Sequence, residues 1–483
     1  MTYFYSNSQL VNYLFLLNII LALLVVVMER RKPSATWAWL LVMLFLPGLG
    51  FVLYLLLGQD LRKERLFYIK EGEERELYAL VREQEKYFHL DRLPLADSAL
   101  EDYKSLIHLH FNSQALYTQD NCVKYYADSH NFFQDLRDSI QSAQKFVHLE
   151  YYIIRNDSLG TALVDLLTDK ARSGIEVKLL YDGQGCQRLP RNFFEPLKQA
   201  GGEVASFFPP LLPYINLRMN YRNHRKICLI DGEIGFTGGG NIGEEYLGIS
   251  RRFGYWRDSY ISIRGSALDE LELRFLLDWR YAAHSDIITN RQYFPSRWPS
   301  GDTGVQIVSS GPDSKWAAIK NGYLKMISSA QRNIYLQTPY FVPDDSILEA
   351  LKMAALSGVE VTLMLPAKPD HPFIYWASLS YVGDLLESGV RCFLYHRGFM
   401  HSKLITADGL ISTVGTANLD IRSFELNFEV NAFIYDSEVT QSIEHAFRED
   451  LRDSRELTLN DYLARSRLVK VKEALCRLLS PLL

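Results

Sequence analysis

No C-x-x-C pair occurs in this chain. Its five cysteines, Cys122, Cys186, Cys228, Cys392 and Cys476, are odd in number and widely spaced. That excludes a zinc knuckle and a disulfide framework, and predicts isolated buried thiols. Excess charge is also lacking. Fifty-two Lys and Arg face 57 Asp and Glu, for a net charge of -5 and a pI near 6.2. This argues against a nucleic-acid binder working by bulk charge. No positive stretch precedes Leu10, so a cleaved signal peptide fits poorly. With 48% hydrophobic and 23% charged residues, the chain has ample material for a core and is not globally disordered.

Charge is absent altogether from two stretches near the N-terminus. Leu10–Met28 and Trp37–Leu57 contain none over 19 and 21 residues. At about 1.5 Å per helical residue, each is long enough for a ~30 Å hydrocarbon core. Glu29-Arg30-Arg31-Lys32-Pro33 opens a short polar turn between them, and Trp37 and Trp39 stand where an interfacial belt would. The expectation is a multi-pass hairpin in the cell membrane, the alternative being a hairpin buried in a core. Arg30, Arg31 and Lys32 at the turn balance Arg62, Lys63 and Arg65 at the other end, so orientation stays open.

Beyond a charged linker over 62–115, the sequence turns to α/β texture and repeats itself. Phe146–Tyr152 and Asn333–Tyr340 are apolar β-type runs, each followed by a helical segment, Leu159–Arg172 and Ile347–Leu356. Ser173-Gly174-Ile175-Glu176-Val177 and Ser357-Gly358-Val359-Glu360-Val361 then read as a helix stopped at glycine before another strand. Second glycine stops follow at Gly201 and Gly389. An order of strand, helix, strand, helix, strand, repeated at about 180 residues, predicts two pseudo-symmetric α/β lobes with parallel or mixed sheets, over 116–300 and 301–483.

Each repeat ends in the same motif. His224-Arg225-Lys226 leads to Asp231 and then Asn241; His401-Ser402-Lys403 leads to Asp408 and then Asn418, with identical spacings. Residues two apart share one face of a strand, so each His points with its Lys. One H-x-K is a weak signal; two matched copies at the same place in a repeat are a strong one. The chemistry suits a phosphodiester. Two lysines neutralise non-bridging oxygens and two asparagines add hydrogen bonds. Two histidines divide the roles of nucleophile and general acid. That chemistry needs no metal or cofactor, and no carboxylate cluster is visible to hold one.

On these motifs the chain resembles the phospholipase D superfamily. Over nearly its whole length it is similar to the bacterial cardiolipin synthases. The features that carry the likeness are the N-terminal hairpin, Thr237-Gly238-Gly239-Gly240-Asn241, Tyr255-Trp256-Arg257-Asp258, Thr338-Pro339-Tyr340-Phe341, Arg397-Gly398-Phe399-Met400-His401, and above all Asn418-Leu419-Asp420-Ile421-Arg422-Ser423-Phe424-Glu425-Leu426-Asn427-Phe428-Glu429. The resemblance implies two phospholipase D-like lobes with the pocket between them, and condensation of two phosphatidylglycerols to cardiolipin and glycerol. It implies catalytic roles for His224, Lys226, Asp231, His401, Lys403 and Asp408, substrate contacts from Asn241 and Asn418, and no metal. It also implies carboxylates that orient the histidines, by position Glu429 for His401 and Asp258 for His224. Gly239 stands where many relatives carry Ser and the second half carries Thr416, so a hydroxyl contact is expected to be missing from the first lobe. Water as acceptor, giving a hydrolase, is not separated from transfer by the motifs alone; a phospholipid-binding scaffold is disfavoured by their intactness, and a nuclease by the acidic balance.

Two further segments stay open. Phe207–Ile215 lines an acyl channel, dips into the bilayer or forms a buried loop. The tail from Arg465 mixes basic residues with Leu468, Val471, Leu475 and Leu478, which suits an anionic membrane surface or a helix docked on the second lobe.

Overall fold

The computed structural model describes residues 16–24, 33–57, 81–86, 98–209, 221–249, 252–285, 290–478 and 480. The chain divides into two compact units, residues 1–69 with 211–220, and residues 70–210 with 221–483.

In the smaller unit the second expected span is not one continuous helix. The 21-residue apolar run is two helices, Pro33–Phe45 and Leu49–Leu57, parted at Leu46-Pro47-Gly48. Pro47 has no N–H to offer the Met43 carbonyl one turn back, and Gly48 turns left-handed at φ 77°. Asn18, on the helix at 16–24, supplies the missing donor: its Nδ2 reaches Met43 O at 2.9 Å. Among the described residues no helix is long and apolar enough to cross a membrane. The turn at Glu29–Lys32, the basic residues 62–65 and most of the first predicted span lie outside the described residues.

The larger unit carries the repeat. In the first half seven strands run outward from the join in the order Thr118–Tyr126, Tyr260–Arg264, Ile234–Gly238, Lys226–Ile230, Phe146–Tyr151, Glu176–Asp182, Glu203–Phe207. In the second the matching order is Thr303–Ser310, Asn427–Tyr435, Ile411–Gly415, Leu404–Ala407, Asn333–Gln337, Glu360–Pro366, Arg391–Tyr395, with Ser454–Leu457 added at the edge. The last three of the seven matching strands in each half are parallel, as crossovers through helices allow, while the inner strands and the added edge strand Ser454–Leu457 pair antiparallel. The strands Thr118–Tyr126 and Thr303–Ser310 pair antiparallel and fuse both halves into one mixed sheet.

Local chemistry agrees between halves. Asp157 caps Ser158–Arg172 by accepting from Gly160 N at 3.0 Å, and Asp344 caps Asp345–Leu356 by accepting from Ile347 N at 3.1 Å. Gly174 and Gly358 end these helices at φ 85° and 93°, which only glycine adopts without strain. One part of the expected linker is core. Leu100, Tyr103, Leu106, Ile107 and Phe111 pack with Val308, Ile319 and Met326 of the second half. Phe207 and Phe208 are buried against Tyr281 and Phe428, while residues 210–215 of the apolar loop lie outside the described residues. Four cysteines are buried as expected; Cys122 is exposed.

Candidate active site

Two short ladders between the halves build the site. Arg222 and Asn223, just before His224, pair in parallel with Asn427 and Phe428, just before Glu429. Gly398–Met400, just before His401, pairs in parallel with Tyr255–Arg257, just before Asp258. Continuing each register by one residue sets His224 against Glu429 and His401 against Asp258. His224 N donates to Phe428 O at 2.9 Å and His401 N to Arg257 O at 2.7 Å. The side chains follow the backbone. His224 Nδ1 lies 3.0 and 2.9 Å from the two Glu429 oxygens, and His401 Nδ1 lies 2.7 Å from Asp258 Oδ2.

This overturns the pairing expected from position in the sequence. Each carboxylate contacts the histidine of the other half, so neither half holds both members of a His–carboxylate pair. The signal was present but is relational: it lies in which residues precede each His and each carboxylate, and only strand pairing makes it legible.

The lysines converge on the same place. Lys226 Nζ donates to His224 O at 2.6 Å and sits 5.5 Å from the Tyr152 ring. Lys403 Nζ is 2.9 Å from His401 Nδ1 and also donates to His401 O. The Lys403 charge acts on both Lys226 and His224, so the two motifs share one electrostatic site. Burial pushes Lys226 down to about 7 and Lys403 down to about 8. Burial also pushes His224 down to about 4, with both lysine charges acting the same way and Glu429 opposing them. His401 is lowered too, by burial and by Lys403, against the pull of Asp258. Burial opposes ionisation of Asp258, but the His401 and Lys403 charges outweigh it and hold the carboxyl below its ordinary value. With neutral imidazoles, two cations balance two carboxylates, and an entering phosphodiester brings the next negative charge.

Gly239 makes room for this arrangement. A Cβ there would fall 2.1 Å from Asp258 Oδ1 and 2.9 Å from Lys403 Cδ. Its counterpart Thr416 accepts from Val430 N at 2.9 Å and donates to Val430 O at 3.2 Å. The hydroxyl that the first half lacks is thus a backbone brace in the second, so the expected loss of a hydroxyl contact has another meaning.

Asp231 and Asp408 stand elsewhere. Each lies five residues, about 16 Å of extended chain, beyond its lysine. Asp231 accepts from the backbone N–H groups of Gln144, Lys145 and Phe146 at 2.7, 2.7 and 2.8 Å. Asp408 accepts from those of Gln331, Arg332 and Asn333, and from Tyr103 Oη at 2.7 Å. Both residues adopt left-handed turns, φ 55° and 58°. They clasp the start of the neighbouring strand, the position of a supporting rather than a reacting group. Asn241 accepts from Ile153 N at 3.2 Å and donates to Tyr246 Oη at 2.9 Å; Asn418 donates to Asp420 at 3.2 Å, and its buried Oδ1 has no protein partner.

Several supporting residues escaped the sequence reading. Trp256 Nε1 donates to Asp258 Oδ2 at 3.3 Å, and Asn427 Nδ2 donates to Glu429 Oε1 at 3.1 Å, so each carboxylate has its own brace. Arg225 is fully buried, paired with Asp278 at 2.5 Å, and donates through Nε to the Glu429 carbonyl at 3.2 Å. Arg257 is likewise buried on Asp450 at 2.8 Å. A charged residue inside H-x-K, and another beside Asp258, were the available signals.

A family profile described as "Cardiolipin synthase, PLD-like domain" matches residues 136–252 and 323–451, and one described as "Phospholipase_D-nuclease N-terminal" matches 16–59. The major cardiolipin synthase of Bacillus subtilis is 48% identical over 99% of both chains. A cardiolipin synthase of Staphylococcus aureus is 48% identical over 97% of this chain and 95% of its own. The solved phosphatidylserine synthase of Haemophilus influenzae shares the fold, with a TM-score of 0.60 at 15% identity over 78% of this chain and 98% of its own. Fold, paired motifs and relatives define a phosphatidyl transferase of the phospholipase D type. The chain belongs to the bacterial cardiolipin synthase family of that superfamily.

Proposed function

We propose that the enzyme transfers a phosphatidyl group from one phosphatidylglycerol to another, releasing glycerol, through a phosphatidyl-histidine at His224. The observation that carries this is the pair of imidazoles, each fixed at Nδ1 by a carboxylate of the opposite half, with two lysines beside them.

Burial keeps His224 neutral at physiological pH. With Nδ1–H given to Glu429, the Nε2 lone pair is free for phosphorus. In the first step the P–Nε2 bond forms and the P–O bond to glycerol breaks; His401 Nε2–H gives its proton to the departing oxygen. In the second, the primary hydroxyl of another phosphatidylglycerol returns a proton to His401. Its oxygen takes phosphorus from His224, completing a ping-pong cycle. Asp258 stabilises the imidazolium form of His401, and the anionic substrate raises the affinity of that site for a proton. Lys226 and Lys403 hold the non-bridging oxygens as charge builds on them, and Asn241 and Asn418 frame the same pocket. One phosphodiester replaces another, so no nucleotide is required and loss of glycerol pulls the reaction forward. Attachment to the cell membrane through the N-terminal apolar helices is supported by exposed Leu16, Ile20, Leu41, Leu44 and Phe45, and by the match at 16–59.

Purified enzyme given phosphatidylglycerol vesicles tests the reaction. Cardiolipin and glycerol are expected in equal amounts without nucleotide and with chelator present. Phosphatidic acid as the main product would favour water as acceptor and contradict the proposal.

A further inference from the structure

The last helix, Arg467–Leu478, has a docked side and, away from it, an exposed apolar side. One packs on the helix Pro372–Glu387, with Glu473 and Cys476 buried. Arg477 fastens it to Asp384 of that helix at 2.9 Å, and Arg465, just before it, pairs with its Glu473 at 2.5 Å. Opposite that docked side lies a second stripe. Leu468 is 76% exposed, Val471 54%, Leu475 58% and Leu478 77%. At about 100° per residue these four fall within an arc of roughly 80°. On the same wheel Arg467 lies just beyond one edge of the stripe and Lys472 just beyond the other.

Four large aliphatic side chains in water on one face carry a free-energy cost that nothing in the docked helix requires. Docking is already secured by the other side. Leucine and valine between flanking cations are the pattern that seats a helix in the plane of an anionic bilayer: apolar side chains enter the acyl boundary and the cations meet phosphates. The Lys472 ammonium lies 5.4 Å from the centre of the Trp376 ring, which holds this exposed cation beside the stripe.

We propose that this outer stripe of the C-terminal helix is a second membrane contact, lying in the interface of an anionic phospholipid surface and holding the catalytic unit to it independently of the N-terminal helices. It rests on the proposed reaction only for the choice of anionic lipid.

The test uses the full chain with Cys122→Ser, which removes the exposed native thiol and leaves four buried ones. Val471→Cys is added and carries a nitroxide. The protein is reconstituted in vesicles of phosphatidylcholine alone, or with phosphatidylglycerol. Collision rates with dissolved oxygen and with a water-soluble nickel chelate are compared. With phosphatidylglycerol the oxygen-to-nickel ratio is expected to rise severalfold, and to fall back when Arg467→Glu and Lys472→Glu are added. Unchanged nickel access in phosphatidylglycerol vesicles would overturn the proposal. Loss of access to both reagents would overturn it too, because it would place a protein partner or a second copy on the stripe. The reading does not depend on turnover, so cardiolipin formation by the same labelled protein separates failure of this proposal from failure of the proposed reaction.

Discussion

The two halves share one backbone plan and differ in how they hold their histidines. The order of seven strands, the caps at Asp157 and Asp344, the glycine stops and the aspartate clasp correspond between them. At the site the correspondence ends. His224 Nδ1 faces both oxygens of Glu429, whereas His401 Nδ1 is shared between Asp258 and Lys403. The residue after His224 is a buried arginine tied to Asp278; the residue after His401 is a serine that hydrogen-bonds Ser259 of the first half. A symmetric scaffold therefore carries an asymmetric site. One imidazole is clamped in a single tautomer, as a nucleophile needs. The other has two competing partners at Nδ1, as suits a group that must take and release a proton.

That contrast can be broken by removing each carboxylate. Glu429→Gln and Asp258→Asn should each lower turnover by roughly 100- to 10,000-fold, because the imidazole loses the partner that fixes its tautomer. A lipid substrate with a good leaving group sharpens the result. It needs no proton in the first step, so Asp258→Asn should recover that step and Glu429→Gln should not. Recovery by Glu429→Gln instead would restore the pairing within each half.

The pH profile probes the lysines. Both are charged below their lowered values, about 7 for Lys226 and about 8 for Lys403, and lose that charge as pH rises. The kcat/KM should therefore fall through pH 7 to 8. On the acid side it should fall near pH 4, where His224 takes a proton and stops being a nucleophile. Lys226→Arg keeps its charge throughout, and should move the alkaline limb up toward the Lys403 value whatever it does to the maximum rate. An unmoved limb would remove Lys226 from substrate binding.

The smallest effect on chemistry is expected at the motif aspartates. Asp231→Asn and Asp408→Asn weaken acceptors for several backbone N–H groups, and each should lower stability by about 1–3 kcal/mol in thermal unfolding. Turnover of the folded protein should be retained. A collapse of kcat without loss of stability would return these residues to the catalytic set.

Much of this was legible in the sequence, and the gaps have physical causes. The repeat, the glycine stops at Gly174 and Gly358, and the pairing of His with Lys in each motif follow from local spacing, whereas a pocket shared by both motifs was implied by the family resemblance. The exchange of Glu429 and Asp258 does not, because spacing within a half carries no information about two short ladders between halves. The catalytic reading of Asp231 and Asp408 came from motif membership; strand rise alone separates them from the histidines. An uncharged run of 21 residues read as one span, but Pro47 interrupts it, and hydropathy is blind to a missing N–H.

The central claim is that His224 carries the phosphatidyl group and His401 moves the proton. His401→Ala, given the activated substrate, should form the adduct and fail to pass it on, because no base remains for the acceptor hydroxyl. Mass spectrometry of its peptides should then show a phosphatidyl group on His224. An adduct on His401 in the reciprocal His224→Ala protein, with none on His224 in His401→Ala, would contradict the account and exchange the two roles.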